Sequence, residues 1–137
     1  MKILNLTQHI ATPDQIEAGV VDLVGEEREA LLRLLTFETP PDFMEIWRRA
    51  DGLADLAKSK EAEAVMIGGA PYLMGPLEIA LRKKDIIPLY AFSVRRTVEE
   101  ALPDGSVKKM AVFQHGGFVK GAVLEKGDGG LLNVVFM

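Results

Sequence analysis

The chain contains no cysteine. Disulfides, thiolate catalysis and cysteine-ligated zinc are therefore excluded. Histidine is scarce, with only His9 and His115. Neither has a carboxylate at ligand spacing, so no metal site and no bound cofactor is expected. No apolar run approaches the roughly 20 residues needed to span a bilayer. The opening Met1-Lys2-Ile3-Leu4-Asn5 turns polar too soon for a secretory signal, and the expectation is a cytoplasmic protein with no membrane partner. The P-loop spacing, the dinucleotide glycine fingerprint and the GxSxG elbow are all missing. Internal repeats and low-complexity tracts are missing too.

What is present is ordinary for a globular domain. The 137 residues are 48% apolar and 26% charged, which fits one α/β domain over 1–137. The net charge of −4 is unevenly spread. Residues 1–80 carry 7 basic and 14 acidic side chains, a net −7, and residues 81–137 carry 9 and 6, a net +3. The second half could face an anion, or Arg82-Lys83-Lys84 and Lys108-Lys109 could be solvated faces. Duplex nucleic acid is not an expected partner, because its binders carry a stronger basic footprint.

Ile3-Leu4-Asn5-Leu6 reads as a first strand. Thr12-Pro13-Asp14-Gln15 predicts a helix start with a capping box, and Gly19 stops that helix early. Val20 to Val24 is a short strand or an extended link. Glu26 to Leu35 predicts a helix, and Thr39-Pro40-Pro41-Asp42 breaks the chain. A longer helix follows from about Asp42 to Ser59, with Phe43, Ile46, Trp47, Leu53 and Leu56 as its apolar core set and Gly52 as a weak point. Ala64 to Ile67 has the pattern of a strand buried on both faces. Ala70 to Lys84 has helical spacing interrupted at Gly75-Pro76, so the helix begins at Pro76 or a short turn precedes a kink. Ile86 to Val94 is the next strand, and strand, helix and strand in this order predict a parallel crossover. Beyond Arg96, two hairpins are expected. Thr97–Leu102 and Val107–Phe113 flank 103–106, and Phe118–Leu124 and Leu131–Phe136 flank 127–130. Met66, Met74 and Met110 read as core filling.

In open parallel sheets, ligands sit beyond the carboxyl ends of the strands. Three segments meet that description and should converge: Asn5-Leu6-Thr7-Gln8-His9, Gly68-Gly69-Ala70-Pro71 and Ser93-Val94-Arg95-Arg96. The two glycines allow positive φ and close backbone approach. No Ser, Thr, Asp or Asn stands at 68–71 to cap the amides that follow, and free amides can hold phosphate. His9 or His115 could act as general acid or base. Thr7 and Ser93 are hydroxyls at strand ends, able to bind phosphate or to satisfy a local amide. An Arg95 or Arg96 fork suits phosphate, or either makes a surface salt bridge. Asn5, Gln8 and Ala70 complete the expected binding set, with His9 and Thr7 as the catalytic candidates.

The opening Asn5-Leu6-Thr7-Gln8-His9 with Thr12-Pro13-Asp14-Gln15 resembles the start of small CRISPR-associated proteins of the ring-nuclease group. Those begin with a strand, then a hydroxyl residue and histidine, then a Thr-Pro-acid-Gln helix start. The resemblance implies a Rossmann-like fold similar to the sensor domains that bind cyclic oligoadenylates. It also implies metal-free cleavage of that ligand in some members. Thr7, His9, Thr12 and Gln15 are the matching positions, and Gln8 is one residue more than that pattern has between hydroxyl and histidine. The longer pattern, with Met66 to Pro71 and Tyr90 to Ser93, also looks like a bacterial family of no established function.

The expected fold is thus a Rossmann-like short parallel sheet flanked by helices, with a carboxyl-terminal antiparallel β extension. The expected function is binding of a nucleotide or another small phosphorylated ligand, with a cyclic oligonucleotide as one such ligand; whether it is an enzyme stays open. The alternatives are a non-catalytic dimeric interaction module and an enzyme acting on a phosphorylated metabolite. The apolar tail Leu131 to Met137 could pair as an edge strand in a homodimer.

Overall fold

The structure is a computed structural model that describes residues 2–121, 123–126 and 132–135. The chain runs β1 (Ile3–Leu6), α1 (Pro13–Glu17), β2 (Val20–Asp22), α2 (Gly25–Leu35), α3 (Phe43–Ser59), β3 (Ala64–Ile67), α4 (Pro71–Lys83), β4 (Ile87–Ala101) and β5 (Val107–Lys120). A further pair, β6 (Val123–Lys126) and β7 (Leu132–Val135), follows. Strands β1 to β5 form one sheet in the order β2-β1-β3-β4-β5. Its first four strands are parallel, and β5 is antiparallel to β4. The fold is therefore α/β with a mostly parallel sheet flanked by helices, and the antiparallel part lies at its carboxyl-terminal edge.

Local chemistry explains the elements. Thr12 accepts from the Gln15 amide at 3.2 Å, and the Gln15 side chain accepts from the Thr12 amide at 3.0 Å, which closes the capping box over Pro13. Gly19, at φ +106, ends α1. Asp42 caps α3, accepting from the Glu45 amide at 2.8 Å.

Side-chain alternation splits the strands between two cores. Leu4, Leu6, Val65 and Ile67 pack with residues of α2, α3 and α4 on one face. Ile3, Val20, Ala64, Met66 and Leu89 pack with Ala11 on the other. All four residues of β3 are buried, as a central strand requires. The apolar face of α3 meets expectation at Leu53, which is buried, and at Ile46 and Leu56, which pack on the core. It differs in that Ala50, Ala54 and Ala57 supply the other buried positions, while Phe43 is 71% exposed and rests edge-on against half-buried Trp47. Three alanines around one leucine present a low surface, which lets the helix lie close to its neighbours. At Gly52, a β-carbon would meet Leu34 of α2 at 3.0 Å, so the weak helix former sits where two helices approach.

Two further expectations are corrected. Helix α4 starts at Pro71 and passes through Pro76 without ending. Leu73 and Met74 before the proline share a buried face with Leu77, Ala80 and Leu81 after it, and that common packing outweighs one missing backbone bond. The separate strands 86–94 and 97–102 are one strand, β4, and segments 107–113 and 118–124 join through β5, which ends at Lys120. No Pro or Gly stands between Val94 and Thr97 to break the first. The partner strand absorbs its glycines as a bulge. Phe92 pairs with Gly117 and Ser93 with His115, leaving Gly116 as the extra residue. A β-carbon at Gly116 would meet Val94 at 2.8 Å.

Beyond Tyr90, which is level with the end of β3, β4 and β5 run on together to the Leu102–Ser106 turn as a two-stranded arm. Residues 91–101 of β4 are all exposed, and Met110, expected in the core, is 39% exposed on this arm. An antiparallel pair, β6–β7, follows, but its first strand is 123–126 rather than the expected 118–124, because 118–120 belong to β5. The expected turn residues 127–130, and Leu131, Phe136 and Met137 of the expected dimer strand, lie outside the described residues. Among the described residues, no helix is long and apolar enough to cross a membrane.

Candidate functional site

From β1 the chain turns to β2 on one side, and it returns in β3 on the other. The carboxyl ends of β1 and β3 thus flank a topological switch point, where open α/β sheets form a crevice. A cleft of about 500 Å³ opens there, within the range of small-ligand pockets. One wall is the segment after β1, with Thr7, Gln8, His9 and Ile10. The opposite wall is Ile67, Gly68 and Gly69. Thr12 and Gln15 of the capping box and Tyr90 and Ala91 of β4 also line it. The first two predicted segments therefore converge, with His9 and Gly69 in one cleft.

Asn5 shapes the first wall from behind. It is the buried polar residue of the sheet, 1% exposed. Its amide nitrogen donates to the His9 carbonyl and to the Asp22 carboxylate, both at 2.7 Å. Its oxygen accepts from the Thr7 amide at 2.9 Å and the Thr7 hydroxyl at 2.7 Å. Two donors and two acceptor positions are all an asparagine has, so Asn5 is saturated and cannot bind a ligand as expected. It is a positioning residue. Asp22 continues the network by accepting from the Ala11 amide at 3.1 Å. Thr7 is constrained in turn. Its hydroxyl donates to Asn5, with the His9 carbonyl at 3.2 Å as a second acceptor, which leaves its oxygen able to accept from a ligand. The exposed His9 imidazole, by contrast, has no hydrogen-bond partner among the described residues.

On the opposite wall only Gly69 takes a glycine-type conformation, at φ +147. Gly68 does not, but a β-carbon there would touch the Thr7 methyl at 3.6 Å. Ala70 is the N-cap of α4 and no side chain caps it. Pro71 has no N–H, the Leu73 amide is bonded to the Ala70 carbonyl, and no acid stands in the first turn. The expected uncapped helix start is therefore present, directly after Gly69 of the cleft.

The third segment does not join this cleft. Because β4 runs on past the sheet, Arg95 and Arg96 lie five and six residues beyond Tyr90, roughly 16–20 Å at strand rise. Arg96 instead donates to the Gln114 side chain at 2.5 Å. Ser93 and His115 face each other across the arm and line an adjoining pocket of about 310 Å³ with Asp14 and Phe113. Thr12 and Gln15 border both pockets. The His115 ring packs on Phe118 with centroids 4.8 Å apart, and its buried Nδ1 has no hydrogen-bond partner among the described residues.

Two residues near the site escaped the sequence reading. Arg28, in the first turns of α2, reaches over to donate to the Gln8 carbonyl at 3.1 Å, and its Nη1 is buried without a partner among the described residues. A cation so close to a helix N-terminus opposes the helix dipole, and that was the available signal. Tyr90 gave none. Its phenol is held protonated well above the usual tyrosine range by burial, by the nearby Glu78 charge and by its hydrogen bond to Glu78. Neither Tyr90 nor Arg28 could be placed without the fold. Among the described residues, no three His, Asp or Glu side chains gather as a metal site.

The family model described as "Uncharacterized protein MJ1673 family" matches residues 1–119. The chain belongs to the MJ1673 family. The matched stretch holds the parallel sheet, both walls of the cleft and the β4–β5 arm, and it ends before β6. No curated protein and no solved structure matches the chain.

Proposed function

We propose that the chain binds a nucleotide or another small phosphorylated ligand in the cleft between the ends of β1 and β3. The carrying observation is Gly69, at positive φ just before the uncapped start of α4, in one cleft with the free imidazole of His9. The phosphate would rest on the amides at Gly69–Ala70 and on the positive end of α4. Thr7 would accept from a ligand hydroxyl, such as a ribose 2′-hydroxyl, because its own hydroxyl donates to Asn5. Gln8 and Gln15 supply neutral amides at the rim.

The ring-nuclease resemblance makes a cyclic oligoadenylate the first ligand to test. If such a ligand is cleaved, the 2′-hydroxyl attacks the neighbouring phosphorus and the 5′-oxygen leaves, giving a 2′,3′-cyclic phosphate. His9 would take the proton from the nucleophile or give one to the leaving oxygen, and the Gly69–Ala70 amides would hold the charge that develops on the phosphoryl oxygens. The cytoplasm is the proposed location, where such ligands occur.

Thermal melting with AMP, a cyclic oligoadenylate and inorganic phosphate tests the reading. A cyclic oligoadenylate or AMP should stabilise the parent, since a ligand that binds only the folded state raises its stability. Gly69→Asp should weaken that binding at least tenfold, or about 1.4 kcal/mol, by placing a carboxylate where phosphate should sit. Gly69→Ala controls for strain at positive φ. If folded Gly69→Asp binds as well as the parent, the glycine pair is only a turn. Stabilisation by phosphorylated metabolites and by neither nucleotide would favour the metabolic-enzyme alternative.

A further inference from the structure

We propose that the β4–β5 arm is a dimerisation element, with β5 of one copy pairing antiparallel along its outer edge with β5 of a second copy. The arm has eleven residue pairs beyond Tyr90, from Ala91–Phe118 to Ala101–Val107, about 35 Å of ribbon. Its apolar side chains stand in solvent on both faces. Val94, Val98 and Met110 lie on one face, and Phe113 and Val107 on the other. Phe113 is 76% exposed. A lone two-stranded hairpin is at best marginally stable in water, and three or more strands are needed for independent stability. Self-pairing converts two such ribbons into one ribbon of four strands, β4-β5-β5-β4.

The outer edge of β5 favours a second copy as the occupant. Edge strands that must stay free are kept short or carry lysines, prolines, bulges or inward charges. The other edge of the sheet, β2, is three residues long. Strand β5 has fourteen residues, and apart from the bulge at Gly116 its stretch from Met110 to Val119 carries none of these devices, with no proline and no Lys, Arg, Asp or Glu. Its lysines, 108, 109 and 120, lie only at the ends. Antiparallel pairing centred on the uncharged stretch sets that stretch against itself. Within each arm Glu99 faces Lys109 and Glu100 faces Lys108, so the tips carry little net charge to repel a partner. Among the described residues, β5 is a terminal strand with β4 as its only neighbour. This surface is distinct from the carboxyl-terminal tail that the sequence suggested.

Light scattering on the full chain should give twice the monomer mass at micromolar concentration. Met110→Lys combined with Phe113→Lys adds two positive charges per copy at exposed positions within the paired stretch. The folded double variant, checked by circular dichroism, should run as a monomer. Amide hydrogen exchange on the parent covers the case in which the variant does not fold. Alternate amides from Met110 to Phe118, those on the outer edge, should exchange at least about tenfold more slowly at concentrations above dimerisation than after dilution to monomer. A parent that stays monomeric at high micromolar concentration overturns the proposal. So does a dimer whose outer β5 amides exchange at the same rate at both concentrations, because its interface would lie elsewhere.

Discussion

Asn5 occupies the position that sequence reading gave to a ligand contact, yet it spends every hydrogen-bonding group on its own chain. Removing it takes one donor from the Asp22 carboxylate and one from the His9 carbonyl, and leaves the Thr7 amide without its acceptor. Leaving buried polar groups unsatisfied costs about 1–3 kcal/mol each. Asn5→Ala should therefore destabilise the fold by about 3 kcal/mol in urea unfolding, far more than His9→Ala, whose exposed side chain makes no hydrogen bond among the described residues. Equal costs for the two would contradict the positioning role. Tyr90 makes a different prediction. Its folded-state pKa is raised, chiefly by burial. The unfolded chain loses the phenolic proton near pH 10 while the folded chain keeps it. The stabilisation is thus complete below about pH 10 and is lost as pH rises above that value. Between pH 9 and 11 the urea midpoint of Tyr90→Phe should fall less than that of the parent. A fall of the same size in both would show that Tyr90 does not carry this term.

Among the elements, a side chain of α3 closes the end of α2. Arg49 Nη1 donates to the carbonyls of Arg33 and Thr36 at 2.7 Å, closing the carboxyl end of α2. Its Nε meets Glu45 at 2.6 Å, and its guanidinium lies 4.6 Å from the centroid of the Phe37 ring. Arg49→Met keeps most of the bulk and removes the donors. A loss of about 2 kcal/mol is expected, against less than about 0.5 kcal/mol for Arg48→Met, whose side chain is exposed and makes one surface ion pair. Chemical denaturation of both variants decides it. The same scale shows what the sequence made legible. Capping at Thr12 and the stop at Gly19 announced α1, and the unbroken apolar run 64–67 announced β3. The four-residue strand and double glycine also located the cleft. Signals failed where tertiary packing overruled a local breaker. Pro76 stays inside α4 because both its flanks share a buried face, and Gly116-Gly117 bend β5 without ending it. The reach of β4 was hidden for the same reason, and that misplaced Arg95 and Arg96. Asn5 could not be told from a ligand contact because its partner Asp22 is seventeen residues away.

At the scale of the molecule, the basic excess of the second half does not serve the cleft. Residues 1–90 carry 10 basic and 15 acidic side chains, and residues 91–119 carry 4 and 3. Arg82, Lys83 and Lys84 cluster at the carboxyl end of α4, where the helix dipole favours cations, and Lys84 pairs with Asp55 at 3.0 Å. The arm carries the rest outward. What remains at the cleft is a nearly neutral rim with a helix start on one side and an imidazole on the other, which suits one or two phosphates better than a long polyanion. The central claim is that a phosphorylated ligand sits between Gly69 and His9. The most direct test is a two-dimensional ¹H–¹⁵N spectrum of the labelled protein titrated with AMP and, separately, with a cyclic oligoadenylate. The account predicts that with at least one of them the largest saturable shifts fall on the amides of Gly68, Gly69, Ala70 and Tyr72 and on Thr7 to His9. Saturable shifts confined to the arm or to the α2–α3 surface, with the Gly69 amide unmoved by either, would contradict it.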